Sequence, residues 1–309
     1  MSDVVLKTRG LCKNYGGRAA VDHVSVEISR GRVYGFIGKN GAGKTTFMRM
    51  VCGLAAPNVG DIEIFGATGA NLTSARRKIG SVIETPPLYV NMTAYENMET
   101  HRRTVGCKKS ETQIKQILEW LEIADTGRKK TKQFSMGMRQ RLGLALTLID
   151  DPDLLILDEP TNGLDPTGIA DMRETLKSLV REKNITILIS SHILSELHLL
   201  ATDYGIIHNG KLLKQLTADE LKNESKKYIS VETDDAAKAG EALKRIGVTD
   251  FETAADGAVH INDASADTAK INSALVSAGV VVRGISEKGQ ELEEYFLNLI
   301  GEGGKAAGV

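Results

Sequence analysis

Apolar residues fall in short runs cut by turn residues over the first third of this chain, and at helical spacing through its middle. Residues 4–8 and 20–28 alternate or run apolar, with Tyr15-Gly16-Gly17 as the turn between them, so both read as strands. Gly31 punctuates before Val33-Tyr34-Gly35-Phe36-Ile37, an apolar run that reads as a buried strand. Residues 61–65 alternate, and residues 79–83 form another short apolar strand behind Arg76-Arg77-Lys78. From about residue 93 to 147 the pattern turns helical. There Ile114, Ile117, Leu118 and Leu121 stand at i, i+3, i+4 and i+7 on one face, and Trp120 is read as packing beside them. Residues 154–157 and 185–190 are two further buried strands, with a helix over 169–181 between them. Apolar strands separated by helices predict an α/β fold whose parallel sheet is covered on both faces.

Beyond residue 216 the pattern becomes strand near 228–231, helix 236–246, strands near 251 and 259, helix 265–278 and strand 280–285, with a frayed end from Gly303. That β-α-β-β-α-β order predicts a small ferredoxin-like α+β domain. Charge supports a division there. The net charge of the 309-residue chain is −1, but residues 1–216 carry +6 and residues 217–309 carry −7. The reading is therefore a domain over 1–216, with a helical subdomain at about 85–150, and an accessory domain over 217–309.

The near-zero charge argues against a nucleic-acid partner, and the basic string Arg128-Lys129-Lys130 with Lys132 is read as a solvated loop. Three cysteines, Cys12, Cys52 and Cys107, show no metal-like spacing and read as reduced thiols. The histidines His23, His101, His198, His208 and His260 are read as structural or exposed. No basic-then-apolar stretch opens the chain, and the low-polarity run over 142–149 is far short of the ~18 residues a membrane helix needs. Any membrane role is expected to need a separate chain.

The densest chemistry follows the strand at 33–37. Gly38 to Thr45 reads Gly-Lys-Asn-Gly-Ala-Gly-Lys-Thr, which fits G-x-x-x-x-G-K-[ST] at every fixed position, between a strand and a helix start. Gly38, Gly41 and Gly43 let the backbone wrap close to anionic oxygens, and the helix N-terminus adds positive potential there. Lys44 is placed to reach the β- and γ-phosphates, and the Thr45 hydroxyl to ligate Mg²⁺. Asn40 and Thr46 are grouped with the nucleotide contacts. A second signal closes the strand at 154–157. Asp158-Glu159 sets two carboxylates at the carboxyl edge of a sheet, Asp158 for Mg²⁺ and Glu159 to polarise the attacking water. His192, after the third buried strand, is placed to donate to a γ-phosphate oxygen.

In order, these residues resemble the ATP-binding subunit of an ABC transporter, over residues 1 to about 216. Tyr15 matches the aromatic that stacks on adenine in that family, and Phe134-Ser135-Met136-Gly137-Met138 sits at the signature sequence. Leu164-Asp165 matches the dimer-contact loop, and His192 the switch histidine. The resemblance implies that Ser135 and Gly137 touch the γ-phosphate of nucleotide held by another subunit. Two departures stand out. Met136 and Met138 replace a glycine and a glutamine, and Glu84 stands where the family usually has a glutamine near Mg²⁺ and the permease. The resemblance thus groups Glu84 with Thr45 and Asp158 at the metal, where its negative charge is expected to alter coupling or nucleotide affinity. Ile83-Glu84-Thr85-Pro86, the degenerate signature at 134–138, Ser190 to Glu196 and Gly205 to Lys211 together further resemble the bacitracin-resistance and lantibiotic-immunity branch. The resemblance implies a dimer, with itself or a homologous ATPase subunit, on the cytoplasmic face of the membrane. It binds ATP and Mg²⁺ and drives an integral-membrane permease. Three rival readings stay open: a non-transport relative, an exporter of another cargo such as a drug, lipid or ion, and a module that binds ATP without turnover.

Overall fold

In a computed structural model, residues 3–224, 227–254, 256–263, 266–288 and 292–306 are described. The chain forms two compact units, residues 1–218 with 303–309, and residues 219–302.

The first unit opens with an antiparallel layer in which strand β1 (Val4–Tyr15) pairs with β2 (Arg18–Val24), β3 (Glu27–Ser29) and, farther along the chain, β5 (Val59–Ile64). Between β3 and β5 come β4 (Val33–Ile37) and helix α1 (Lys44–Cys52). The run read as one strand at 20–28 is thus two strands. Each pairs with a different stretch of β1, a long-range choice that local alternation does not encode. After β5 follow the short α2 (Leu72–Ala75), β6 (Ile79–Val82), and helices α3 (Ala94–Val105), α4 (Glu111–Trp120) and α5 (Met136–Thr147). The next elements are β7 (Leu154–Asp158), α6 (Pro166–Lys183), β8 (Thr186–Ser191), α7 (Leu194–His198), and β9 (Asp203–His208) with β10 (Lys211–Thr217).

A six-stranded sheet in the order β10-β9-β4-β8-β7-β6 forms the centre of this unit. All its pairings are parallel except β9 with β10. Strands β4, β7 and β8 are buried at every position, which is why they read as continuous apolar runs. Parallel pairing brings their carboxyl ends level: Ile37 lies opposite Ser191, and Asp158 opposite Ser190. That shared edge positions the site. Phe36 and Phe47, both 0% exposed with ring centroids 5.0 Å apart, anchor α1 beneath the sheet. The β9–β10 hairpin turns at Asn209 (φ 47°) and Gly210 (φ 80°), a left-handed pair suited to Asn-Gly.

Capping explains where the helices begin. Thr93 with Glu96 and Ser110 with Gln113 form capping boxes for α3 and α4, each cap supporting its helix by about 1 kcal/mol. Asp165 caps α6 ahead of Pro166, and Ser135 caps α5. Helix α4 buries Ile114 and Leu118 and is followed by buried Leu121, while Trp120 is half-buried beneath the Lys183 ammonium.

In chain order, α8 (Ala218–Glu224) leads to the elements of the second unit: β11 (Tyr228–Thr233), α9 (Ala236–Arg245), β12 (Phe251–Thr253), β13 (Val259–Ile261), α10 (Thr268–Ser277) and β14 (Val282–Lys288). The sheet order β12-β13-β11-β14, all antiparallel, is ferredoxin-like, as its alternation predicted. Its core joins Ile229 and Val231 of the sheet to Leu243 of α9 and Leu275 of α10. Ser265, expected to start the second helix, lies outside the described residues. Instead of fraying at Gly303, the chain continues as helix α11 (Leu292–Ala306); residues 307–309 lie outside the described residues. Among the described residues, no helix is long and apolar enough to cross a membrane.

Candidate nucleotide site

The loop from Gly38 to Gly43 is shaped by what its glycines exclude. A Cβ at Gly43 (φ 112°) would lie 2.4 Å from the Ala20 carbonyl oxygen, and one at Gly38 would lie 2.5 Å from the Ile207 carbonyl oxygen. Gly41, at φ 79°, adopts a backbone that L side chains rarely take. Gly43 is also the N-cap of α1 and supplies no side chain to its first-turn N–H groups, which leaves those donors to an anion.

Lys44 starts α1 and is buried, its side chain 4% exposed. Its ammonium donates to the carbonyls of Gly38 (2.5 Å) and Lys39 (3.3 Å), and pairs with Glu159 Oε1 at 3.1 Å. The Thr45 hydroxyl donates to Asp158 Oδ2 at 2.7 Å, so the loop and the end of β7 meet directly. Ser190 ties the carboxylate pair together. Its hydroxyl donates to Asp158 Oδ1 (2.5 Å) and accepts from the Glu159 N–H (2.9 Å). Glu159 sits at φ 48°, a left-handed conformation uncommon for a side-chain-bearing residue. That geometry turns its carboxylate between Lys44 and His192, whose Nδ1 is 3.1 Å from Glu159 Oε2.

A cavity of about 770 Å³ opens over these groups. Its walls include Asn40, Gly41, Gly43, Lys44, Thr45, Thr46, Glu84, Asp158 and Glu159, so nine of the expected residues converge on one space. Gly38 and His192 join through their bonds to Lys44 and Glu159. Tyr15, Ser135, Gly137 and Asp165 do not line it. Tyr15 is 51% exposed with Lys13 Nζ 5.1 Å from its ring centre, and Ser135 and Asp165 are exposed as helix caps. A Cβ at Gly137 would be 3.7 Å from Leu164, so the signature helix packs beside the loop that leads into α6.

Sequence reasoning did not single out Ser190, Asn162, Arg139 or Gln140. The last three line the cavity, and Ser190 braces its floor. A fully buried serine in an apolar strand was the available signal for Ser190. Replacing it with alanine is expected to strand the Glu159 N–H, at a cost of about 1–3 kcal/mol of stability by thermal unfolding. Turnover should fall more than KM changes, because Asp158 and Glu159 lose their common brace.

Glu84, at φ 66°, has its carboxylate held by Arg49 Nη2 at 2.7 Å in an exposed pair, 40% and 60% exposed. The negative charge expected to disturb this site therefore carries its own counter-ion.

A glycine loop on a parallel sheet edge, a buried lysine and a strand-end carboxylate pair define a P-loop nucleoside-triphosphatase. The profile of the ABC transporter family matches residues 21–162. The bacitracin transport ATP-binding protein BcrA of Bacillus licheniformis is 43% identical over 301 residues, covering 97% of this chain and 98% of that protein. The lantibiotic transport ATP-binding protein SrtF of Streptococcus pyogenes is 44% identical over 219 residues, covering 71% of this chain and 93% of its own. The daunorubicin resistance ATP-binding protein DrrA3 of Streptomyces coeruleorubidus is 33% identical, covering 98% of each chain. Among solved structures, the dimeric ATP-binding cassette MJ0796 bound to ADP and Pi superposes with a TM-score of 0.62 at 25% identity, covering 69% of this chain and 98% of its own. The chain belongs to the ABC transporter family. It is an ATP-binding, ATP-hydrolysing subunit of such a transporter, and subunits of this kind dimerise and work with membrane permeases.

Proposed function

We propose that this ATPase powers the removal of membrane-active peptide antibiotics of the bacitracin or lantibiotic type by a separate multi-span permease at the cytoplasmic face of the cell membrane. The observation that carries this is the 43% identity to a bacitracin transport ATP-binding protein over 97% of the chain, a match long enough to include most of the second unit. The family resemblance read from Glu84, the signature and His192 points the same way. A drug-exporting role is the second reading, supported by full-length identity to a daunorubicin resistance protein at a lower 33%. Deleting the gene separates the two. Sensitisation to bacitracin or lantibiotics, restored by wild type and not by Glu159→Gln, supports the first. Sensitisation to anthracyclines alone supports the second.

At the site, Lys44 binds the β- and γ-phosphates of ATP, leaving Glu159 as it does so, and the first-turn N–H groups of α1 cradle the remaining oxygens. Thr45 and Asp158 offer two hard oxygen donors that already meet at 2.7 Å, a donor set suited to Mg²⁺. Bound there, that ion supplies charge neutralisation of the phosphates. Glu159 accepts the proton of the attacking water, and His192, whose Nδ1 faces the Glu159 carboxylate, donates to a γ-phosphate oxygen through its other ring nitrogen. Tyr15 stacks on the adenine, and Asn40 and Thr46 complete the phosphate contacts. Ser135 and Gly137 of one protomer reach nucleotide held by its partner, with Asp165 at the contact between them. ATP then bridges the two subunits through charge-assisted hydrogen bonds, and hydrolysis releases them.

Glu84 lies at the edge of this arrangement, and Arg49 keeps its charge from opposing the phosphates. Arg49→Ala is expected to weaken MgATP binding by about 2–5-fold, a small effect because the pair is exposed. Adding Glu84→Gln should restore it. Nucleotide titration of the single and double variants checks both, and no rescue would remove Glu84 from the charge balance.

A further inference from the structure

On strands β1 and β2, outside the lining of the nucleotide cavity, Cys12, Asp22 and His23 bring a thiol, a carboxylate and an imidazole together. Their ligand atoms all lie within 4.8 Å of one another. Cys12 is buried in β1, while the other two stand next to each other on β2. The β1–β2 register places Leu11 opposite Val24 and Lys13 opposite Val21, so Cys12 alone faces both Asp22 and His23. This is a β-bulge, and His23 is its left-handed residue at φ 51°. The bulge aims two adjacent residues of one strand at a single cysteine of the other, which regular alternation forbids. His23 Nδ1 lies 2.6 Å from Asp22 Oδ1, and the His23 N–H donates to Cys12 Sγ at 3.2 Å.

We propose that Cys12, Asp22 and His23 form a three-ligand site for a divalent transition metal of the Zn²⁺ class, separate from the ATP site. Thiolate, imidazole and carboxylate are the ligand types Zn²⁺ takes, and a mixed soft and borderline set selects it over Mg²⁺. Metal–ligand bonds of about 2.0–2.3 Å in a tetrahedron put ligand atoms ~3.6 Å apart. Rotation of the His23 side chain, which is 75% exposed, opens its 2.6 Å contact with Asp22 and brings the ligand atoms to this spacing, while the buried Cys12 stays fixed. Lys211 Nζ, 3.6 Å from Asp22 Oδ2, is the cation the metal displaces. The exposed side of His23 leaves a fourth position for water.

The placement ties the site to the nucleotide loop. The Asp22 N–H donates to the Gly210 carbonyl (2.8 Å), and the Gly210 N–H donates to the carbonyl of Ala42 inside the loop (2.9 Å). Two residues before Asp22, the Ala20 carbonyl closes over Gly43. Ligation clamps β1 to β2 at the root of the hairpin that presents Tyr15. The other cysteines do not substitute for Cys12: burial pushes the Cys52 thiol up to about 11, and Cys107 Sγ bonds the Ile149 carbonyl at 3.2 Å.

The test uses full-length protein without a polyhistidine tag and without nucleotide, titrated with Co²⁺ and then Zn²⁺. Wild type is expected to bind one Co²⁺ with thiolate-to-cobalt charge-transfer absorption, to lose that band when Zn²⁺ displaces it, and to unfold at higher temperature with Zn²⁺. His23→Asn, which tolerates the left-handed backbone at this exposed position and removes the imidazole, should fold normally, keep ATP turnover and lose metal affinity by about 10–100-fold or more. Cys12→Ser should abolish the band. A wild type without the thiolate band, or variants that bind Zn²⁺ as tightly as wild type, would overturn the proposal.

Discussion

Glu159→Gln is expected to cut ATP turnover by about 10²–10⁴-fold while nucleotide binding survives. The side chain is nearly isosteric, and the backbone that positions it is held independently by the Ser190 hydroxyl on the Glu159 N–H. What glutamine loses is the capacity to accept a proton from water. It also loses the charge that competes with phosphate for the Lys44 ammonium, now 3.1 Å away. Affinity for ATP should therefore be equal to or tighter than wild type. With hydrolysis blocked, the ATP-bridged dimer should persist, so size-exclusion chromatography with MgATP should show a dimer that wild type forms only transiently. Turnover at wild-type levels would remove Glu159 from the role of base. Loss of binding together with turnover would make it a structural residue of the loop.

Lys44→Ala should act on the other half of the cycle. The ammonium is buried, satisfied by two loop carbonyls and one carboxylate, and within reach of any phosphate the loop accepts. Removing it deletes a hydrogen bond to a charged group, worth about 1.5–3 kcal/mol, so the dissociation constant for ATP should rise by about 10–150-fold. It also leaves the Glu159 carboxylate facing incoming phosphate without its counter-ion, which adds to the loss. Lys44→Arg is not a rescue, because the planar guanidinium does not fit a slot built around one compact ammonium. Calorimetric titration at fixed Mg²⁺ separates affinity from turnover. Wild-type affinity in Lys44→Ala would contradict the assignment of this lysine to the phosphates.

Much of the catalytic half of the site is legible in the chain because its geometry is local. Gly38 to Thr45 carries its own backbone requirements, and strands β4, β7 and β8 announce themselves as unbroken apolar runs. The residues that end such strands must lie on one sheet edge once the strands pair in parallel, which brings Asp158 and the start of the His192 segment to the edge where the phosphate loop begins. The second unit is legible for the same reason, since alternating strands and helices in β-α-β-β-α-β order leave few ways to bury both helix faces. The Asn209-Gly210 turn of the β9–β10 hairpin is equally local, since both residues take the left-handed backbone that this dipeptide favours.

What the chain alone did not decide are contacts between residues far apart in sequence. Ser190 bridges Asp158 and Glu159 only because β7 and β8 pair in one register, and Glu84 is neutralised only because β6 ends beside α1 and Arg49. The division of residues 20–28 into two strands, and the bulge that turns Asp22 and His23 toward Cys12, depend on how β1 is shared among three partners. Local propensity determined which segments are strands, helices and phosphate loop. Pairing register and tertiary packing decided which side chains meet, because those choices are set by burial across the whole core and not by any neighbour in sequence.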